Sequence, residues 1–339
     1  MPALPTAAAE RVRVPNSPAL TSAVIGTGAF VPEGVLTNED LEGLVRTSDA
    51  WIMERTGIRE RRRAGAGVTA SVMAAEAGRA AMADAGVASV DAIVVATCTA
   101  DTFIPPTACL VQRRLGLQGV PAFDVNAACS GFIDGLVLSD ALIRGMVART
   151  VLLIGAEALT HLVDYGDRST CVLFGDGAGA VVLNGGDGGG IVARAWGSDG
   201  SEADLIYYGS APDDPDSGDG LRMAGKGTFR MAVEQMTDLC AELSAAAGWR
   251  LEDVDVVVPH QANARIIEAV AKRASVPLER FVINVDSLGN TGAASIPLAL
   301  AEADRGGRLH PGARLIMVAF GAGATWGGVA MEWTRSPRA

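Results

Sequence analysis

Cys129 stands in the run F-D-V-N-A-A-C-S-G-F-I-D-G-L, Phe123 to Leu136, where a strand-like F-D-V gives way to small residues and then to a helical pattern. If F-D-V is a buried strand, the sulfur sits at a strand-to-helix turn, where the unpaired N–H groups and positive end of the helix favour thiolate over thiol. Ala127, Ala128, Ser130 and Gly131 permit a tight turn and close approach of a substrate, as at other nucleophile elbows. Cys98, Cys109, Cys171 and Cys240 lack that setting and read as structural thiols. His260 follows D-V-V-V-P, at the end of a predicted buried strand and before a helix, which is where α/β folds place reactive groups. The other two histidines, His161 and His310, lie in polar, turn-like contexts and read as surface residues. Asn290, in S-L-G-N-T-G-A-A-S, again falls between a strand and a helix. Cysteine, histidine and asparagine at strand ends point to acyl transfer through a covalent thioester. The spacing also permits a Cys-His protease or a cysteine-dependent dehydrogenase. No protease signature surrounds Cys129, and G-T-G-A-F-V-P-E-G (Gly26 to Gly34) lacks the third dinucleotide-binding glycine and has Pro32 where a helix should start.

The elements that must position these residues occur twice. Short β-branched runs alternate with alanine-rich stretches at helical spacing, an α/β pattern with buried strands. V-D-A-I-V-V-A-T (Val90 to Thr97) is echoed by V-D-V-V-V-P-H (Val254 to His260), F-D-V by I-N-V (Ile283 to Val285), and T-V-L-L-I-G-A-E (Thr150 to Glu157) by A-R-L-I-M-V-A-F (Ala313 to Phe320). The order is kept and the offset is roughly 160 residues each time, which places Asn290 opposite Cys129 in the repeat. The expected division is a loose tail over residues 1–20, a first half over 21–190 carrying the cysteine, and a second half over 191–339 carrying the histidine and asparagine. P-D-D-P-D-S-G-D-G (Pro212 to Gly220) reads as a solvated loop between the halves.

With 339 residues, 49% hydrophobic and 20% charged, the chain can bury a large core. A net charge of −11 without blocks of like charge disfavours nucleic acid and anionic membrane as partners. The five cysteines form no C-x-x-C pair and no zinc-ligand spacing, so no metal is expected and a reduced, cytoplasmic protein fits best. The first twenty residues hold four prolines and no sustained apolar run, unlike a signal peptide, and no segment approaches the roughly 20 apolar residues of a membrane helix.

Taken together, T-S-D-A-W-I-M-E-R-T-G-I-R-E-R-R, A-A-C-S-G-F, L-F-G-D-G-A-G-A-V-V-L, V-P-H-Q-A-N-A-R-I-I, G-N-T-G-A-A-S-I-P and F-G-A-G-A-T-W-G resemble β-ketoacyl-acyl-carrier-protein synthase III, from about Ser22 to about Trp333. The resemblance implies a thiolase fold, two duplicated α/β halves packed as a layered α-β-α-β-α sandwich. It implies that acyl-CoA acylates Cys129, with the backbone N–H groups of Cys129 and Ala322 as oxyanion hole, and that His260 and Asn290 serve a decarboxylative condensation with malonyl-acyl-carrier protein. Thioester substrates take the place of any cofactor. By similarity Trp51, Arg55, Arg168 and Asn263 bind CoA; Pro105, Phe174, Phe320 and Ala324 shape the acyl pocket or its gate; Arg230, Arg265, Lys272 and Arg273 dock the acidic carrier; and the protein is a homodimer. Arg265 and Lys272, seven apart, share one helix face.

The likeness also separates cousins. A thiolase would carry a second cysteine near the C-terminal glycine-rich run, an elongating synthase a second histidine where Asn290 stands, and a plant-type polyketide synthase a different C-terminal motif. The chain departs from the commonest pattern at Pro105, Asn126, Ala322 and Ala324, which leaves the starter acyl group open. Two further readings remain: an acyltransferase that delivers to a hydroxyl or amine without decarboxylation, and a catalytically silent thiolase-fold partner subunit.

Overall fold

A computed structural model describes residues 20–186, 188–209 and 220–336. Nearly all of the predicted tail, residues 1–20, and most of the acidic loop Pro212 to Gly220 lie outside the described residues. In chain order the strands are β1 (Thr21–Phe30), β2 (Gly34–Thr37), β3 (Glu60–Arg63), β4 (Ala92–Ala96), β5 (Ala122–Val125), β6 (Thr150–Ala158), β7 (Asp176–Gly186), β8 (Gly190–Ser198), β9 (Ile206–Tyr208), β10 (Leu221–Met223), β11 (Val256–Pro259), β12 (Arg314–Gly321) and β13 (Thr325–Glu332). The helices are α1 (Asn38–Glu42), α2 (Asp49–Thr56), α3 (Ala70–Ala85), α4 (Thr107–Leu115), α5 (Gly131–Arg144), α6 (Gly225–Ala246), α7 (Ala264–Ala274), α8 (Val285–Leu288) and α9 (Ser295–Arg305).

The strands form two principal sheets with the orders β1-β7-β6-β4-β5 and β8-β13-β12-β11. In the first, β4 runs parallel to β6, β6 antiparallel to β7 and β7 antiparallel to β1; in the second, β11, β12, β13 and β8 repeat those directions one for one. Successive side chains along a strand face opposite sides, and that alternation builds the layers. Val94, Leu153 and Val181 of the first sheet, with Val258, Leu315 and Val329 of the second, bury against Phe132 and Leu136 of α5 and Ile296 and Leu300 of α9. Ile93, Val95 and Leu152 point the other way, under alanine-rich α3 and α4. Val257, Ile316 and Val318 face α6 and α7. The sequence of layers is helix, sheet, helix, sheet, helix.

The repeat is imperfect at two places. I-N-V, expected as the counterpart of β5, is no strand: only an isolated bridge between Val257 and Phe281 survives, and Val285 already belongs to α8. The Gln261 side chain takes the place of a strand neighbour there. Its Nε2 donates to Val282 O (2.9 Å), and its Oε1 accepts from Asn284 N (3.0 Å). Nor is F-D-V buried: β5 is an edge strand of its sheet, with Phe123 36% exposed. The acidic loop joins β9 to β10 after β8, so it is an insertion within the second sheet's part of the chain rather than a link between the halves.

Small residues set the spacing of the central layer. A Cβ at Gly179, in β7, would lie 2.6 Å from Leu298 N and from Pro297 C of α9. Gly179→Ala is expected to cost about 1–3 kcal/mol of overpacking strain, read as a lower denaturant midpoint; an unchanged midpoint would show that α9 can move away freely.

Candidate active site

The nucleophile's turn is built from both halves. β5 ends at Val125, a single 3₁₀ turn spans Ala128–Ser130, and α5 starts at Gly131. Ala128 is held in the left-handed region at φ 48°, and Asn126 Oδ1 accepts its N–H at 3.2 Å, which gives the unexpected Asn126 a local purpose. Gly321, at the end of β12, presses on this turn: a Cβ there would lie 2.8 Å from Cys129 N and 2.9 Å from Ser130 N. Only glycine permits that approach. Neither the Cys129 N–H nor the Ala322 N–H meets an acceptor among the described residues, and both residues line the same cavity.

His260 leaves the end of β11 with its N–H on Val318 O (2.8 Å) and its Nδ1 2.7 Å from Ser295 Oγ, at the start of α9. Burial pushes its imidazole down to about 4, so the ring is neutral at pH 7. A hydroxyl both donates and accepts, so Ser295 suits either ring tautomer. Asn290 is fixed by its own backbone, N–H to Leu173 O (2.8 Å) and C=O to Gly175 N–H (2.9 Å). Its Oδ1 accepts from Gly292 N–H at 2.9 Å, which leaves the NH₂ group to face the cavity.

Cys129, His260, Asn290 and Ala322 line one cavity of about 330 Å³, with Phe174, Phe320, Leu159, Leu221 and Met236 among its apolar walls. Among the described residues no carboxylate lines it. The resting thiol is not the thiolate expected from its place at a helix start. Burial, and then the charge of nearby Glu157, push it up to about 12, against which its own backbone N–H contributes little. Glu157 lies behind the wall. Its carboxylate accepts from Thr99 Oγ1 (2.7 Å) and Cys98 N (3.1 Å), and burial raises it to about 7. Cys98, read from the sequence as structural, also lines the cavity and sits 3.4 Å from Glu157 Oε2. The signal that could have found it was its place just past the end of β4.

A second cleft, of about 460 Å³, holds Trp51, Arg55, Lys226 and Arg265 and shares Asn263, Phe229 and Leu173 with the cavity, so the two run together. Arg168 lies over the Trp51 ring at 4.6 Å from its centroid and Arg55 at 5.3 Å. A flat ring between Trp51 and Arg168 needs about 7 Å, twice a van der Waals contact, so the pair is closed on itself. Asn263 caps α7 through Oδ1 and donates from Nδ2 to Arg55 O at 3.0 Å. Ala324 does not line the cavity as expected. It is buried, and its N–H and C=O are both taken by the Asp199 backbone (2.9 and 2.8 Å). Pro105 lies on an exposed loop away from this chain's cavity, and the residues projecting there are Phe103 and Ile104, 100% and 79% exposed. Arg230, Arg265, Lys272 and Arg273 are exposed on adjacent α6 and α7, with no ion pair to any of them among the described residues. Among the described residues no three metal-ligating side chains converge, and no helix is long and apolar enough to cross a membrane.

Comparison with known proteins gives one answer. Families described as 3-oxoacyl-[acyl-carrier-protein (ACP)] synthase III and its C terminal match residues 123–200 and 244–333. The chain is 49% identical over 325 residues to the β-ketoacyl-[acyl-carrier-protein] synthase III of Bordetella petrii, covering 92% of this chain and 98% of that one. The crystal structure of the 3-oxoacyl-(acyl carrier protein) synthase III of Pseudomonas aeruginosa PAO1 superposes with a TM-score of 0.89 at 45% identity, covering 93% and 99% of the two chains. A priming β-ketosynthase from the R1128 polyketide biosynthetic pathway superposes at 0.88 with 35% identity, covering 96% and 99%.

With the thiol pushed up to about 12, alkylation of Cys129 by iodoacetamide is expected to rise about tenfold per pH unit from pH 7 to 10 without a plateau. Glu157→Gln removes the neighbouring charge and should speed alkylation at pH 8 by up to about tenfold, the effect of one pKa unit. A plateau below pH 9, or no response to Glu157→Gln, would refute this picture of the thiol.

Proposed function

This chain belongs to the β-ketoacyl-acyl-carrier-protein synthase III family, initiating condensing enzymes of fatty acid biosynthesis, and on that premise we propose how its own residues divide the reaction. Acyl-CoA enters by the cleft at Trp51, with the Trp51 and Arg168 pair opening to admit the adenine, Arg55 near the phosphates and Asn263 along the pantetheine arm. Cys129 Sγ attacks the thioester carbonyl, and its proton passes to neutral His260, the one imidazole in the cavity. The oxyanion accepts the N–H groups of Cys129 and Ala322. CoA leaves as the thiol, taking that proton.

A malonyl thioester on the carrier protein follows, guided by Arg230, Arg265, Lys272 and Arg273 to the cleft mouth. His260 Nε2–H and the Asn290 NH₂ hydrogen-bond its thioester carbonyl. Loss of CO₂ leaves an enolate on that oxygen, the enolate carbon attacks the acyl carbon on Cys129, the acyl C–S bond breaks, and the sulfur leaves as thiolate and takes one proton from solvent to restore the thiol. The observation that carries this reading is the cavity lining itself: Cys129, His260, Asn290 and Ala322 meet there, and among the described residues no acidic side chain that would oppose an enolate joins them. No bound cofactor is needed, because the thioester supplies its own leaving group and the charge is taken by N–H donors. Transfer to a hydroxyl or amine would give the Asn290 amide no task.

We assign the exposed loop of Phe103, Ile104 and Pro105, with edge strand β5, to the interface with a second copy, where apolar side chains and unpaired strand groups would be covered. Free thiols at all five cysteines suit a reducing, cytoplasmic setting.

Cys129→Ser is expected to abolish acyl-enzyme formation. Asn290→Ala should leave acylation within about threefold and cut ¹⁴CO₂ release from malonyl-carrier protein by about 10²–10³-fold, the worth of one oxyanion donor. Equal losses in both steps would contradict this division of labour. Trp51→Ala should raise the KM for acyl-CoA while leaving that for malonyl-carrier protein unchanged, and no change would remove Trp51 from the binding cleft.

A further inference from the structure

The two N–H groups assigned to the oxyanion hole belong to different halves of the chain, and no covalent link holds them at a common distance from a reacting oxygen. A hole of this kind works only when both donors reach 2.7–3.1 Å of the developing oxyanion. Gly321 limits how near the halves come, but a glycine contact sets only a lower bound. The Thr325 hydroxyl supplies the tether. Its oxygen lies 2.9 Å from Ala322 O, closing the turn that carries one donor, and 3.1 Å from Ala127 O, two residues before the other donor. Ser130, next to the nucleophile, donates to it at 2.9 Å, shorter than Ser130's approaches to Ala127 O (3.0 Å) and Asp134 Oδ2 (3.2 Å). Thr325 also opens β13 directly opposite Gly321 of β12, so its backbone is fixed by the sheet.

We infer that Thr325 is a positioning residue for acyl transfer: its hydroxyl bridges the Ala322 turn to the Cys129 turn and holds the two oxyanion donors in register. It touches no substrate atom. The inference rests on the reading of Cys129 as nucleophile and of the Cys129 and Ala322 N–H groups as the donors. Its signature is selective. Attack on a thioester needs the hole, whereas alkylation of the same sulfur by iodoacetamide forms no oxyanion and needs only the thiol.

Thr325→Val keeps the shape and removes the hydroxyl; Thr325→Ser keeps the hydroxyl. For the valine variant, the rate of Cys129 acylation by acyl-CoA, followed by intact mass, should fall roughly 10- to 100-fold, the cost of a small misplacement of reacting groups. Saturation by acyl-CoA and iodoacetamide alkylation should both stay within about twofold. The serine variant should recover most of the acylation rate. Should the valine variant not fold, Thr325→Ala carries the same expectation. Unchanged acylation, alkylation falling as far as acylation, or a serine variant as slow as valine would each overturn the inference. Failure of the unmodified protein to be acylated would instead overturn the reading on which it rests.

Discussion

The site depends on one close approach, that of Gly321 to the backbone of Cys129 and Ser130, across the boundary between the duplicated halves. A side chain at position 321 would separate the β12–β13 turn from the nucleophile's turn, and with them the two free N–H groups. Much of the fold serves that contact. The central helices α5 and α9 are gripped between two sheets by aliphatic side chains from both, so the turns after β5 and β11, which carry Cys129 and His260, and the turn after α8, which carries Asn290, open at one place. Each half alone would present an incomplete set: the sulfur and one donor from the first, the imidazole, the amide and the other donor from the second.

Burial then fixes the electrostatics. Among the described residues that line the cavity none carries a formal charge at neutral pH, with the thiol pushed up to about 12 and the imidazole down to about 4. In so dry a place charge is costly to create, and a set of oriented N–H dipoles is an effective way to lower that cost at the moment it develops. Among the described residues Glu157 is the one acid whose charge acts on the sulfur, and it is kept behind the wall by Thr99 and the Cys98 backbone, where burial lifts it to about 7. On this acidic chain Arg230, Arg265, Lys272 and Arg273 of α6 and α7 have no ion-pair partner among the described residues, and Arg265 stands at the cleft that holds Trp51.

His260 was legible because it stands directly after an apolar β-branched run, Cys129 because small residues lead from F-D-V into a helix, and Asn290 because it falls opposite Cys129 in the repeat; strand ends in α/β sheets are where side chains escape the core. The duplication was legible for the same reason, from three apolar runs in one order. What sequence could not carry were contacts made over distance. I-N-V has strand composition, yet the Gln261 side chain satisfies its backbone and the chain turns into α8. The helix start at Cys129 argued for a thiolate, but desolvation by walls drawn from both halves outweighs it. Ser295 lies 35 residues from His260 and carried no signal before the two were seen paired. Ala324 was expected in the acyl pocket from its place in a motif, whereas the backbone of Asp199 holds it away.

The most direct test is a chase followed by mass spectrometry. The protein is incubated with one acyl-CoA, the acylated peptide is located, and malonyl-acyl-carrier protein is then added. The account predicts acyl mass on the peptide containing Cys129 and its discharge as a 3-ketoacyl-carrier protein with one CO₂ per acyl group lost. Acyl mass on Cys98, or discharge from Cys129 without CO₂, would contradict it.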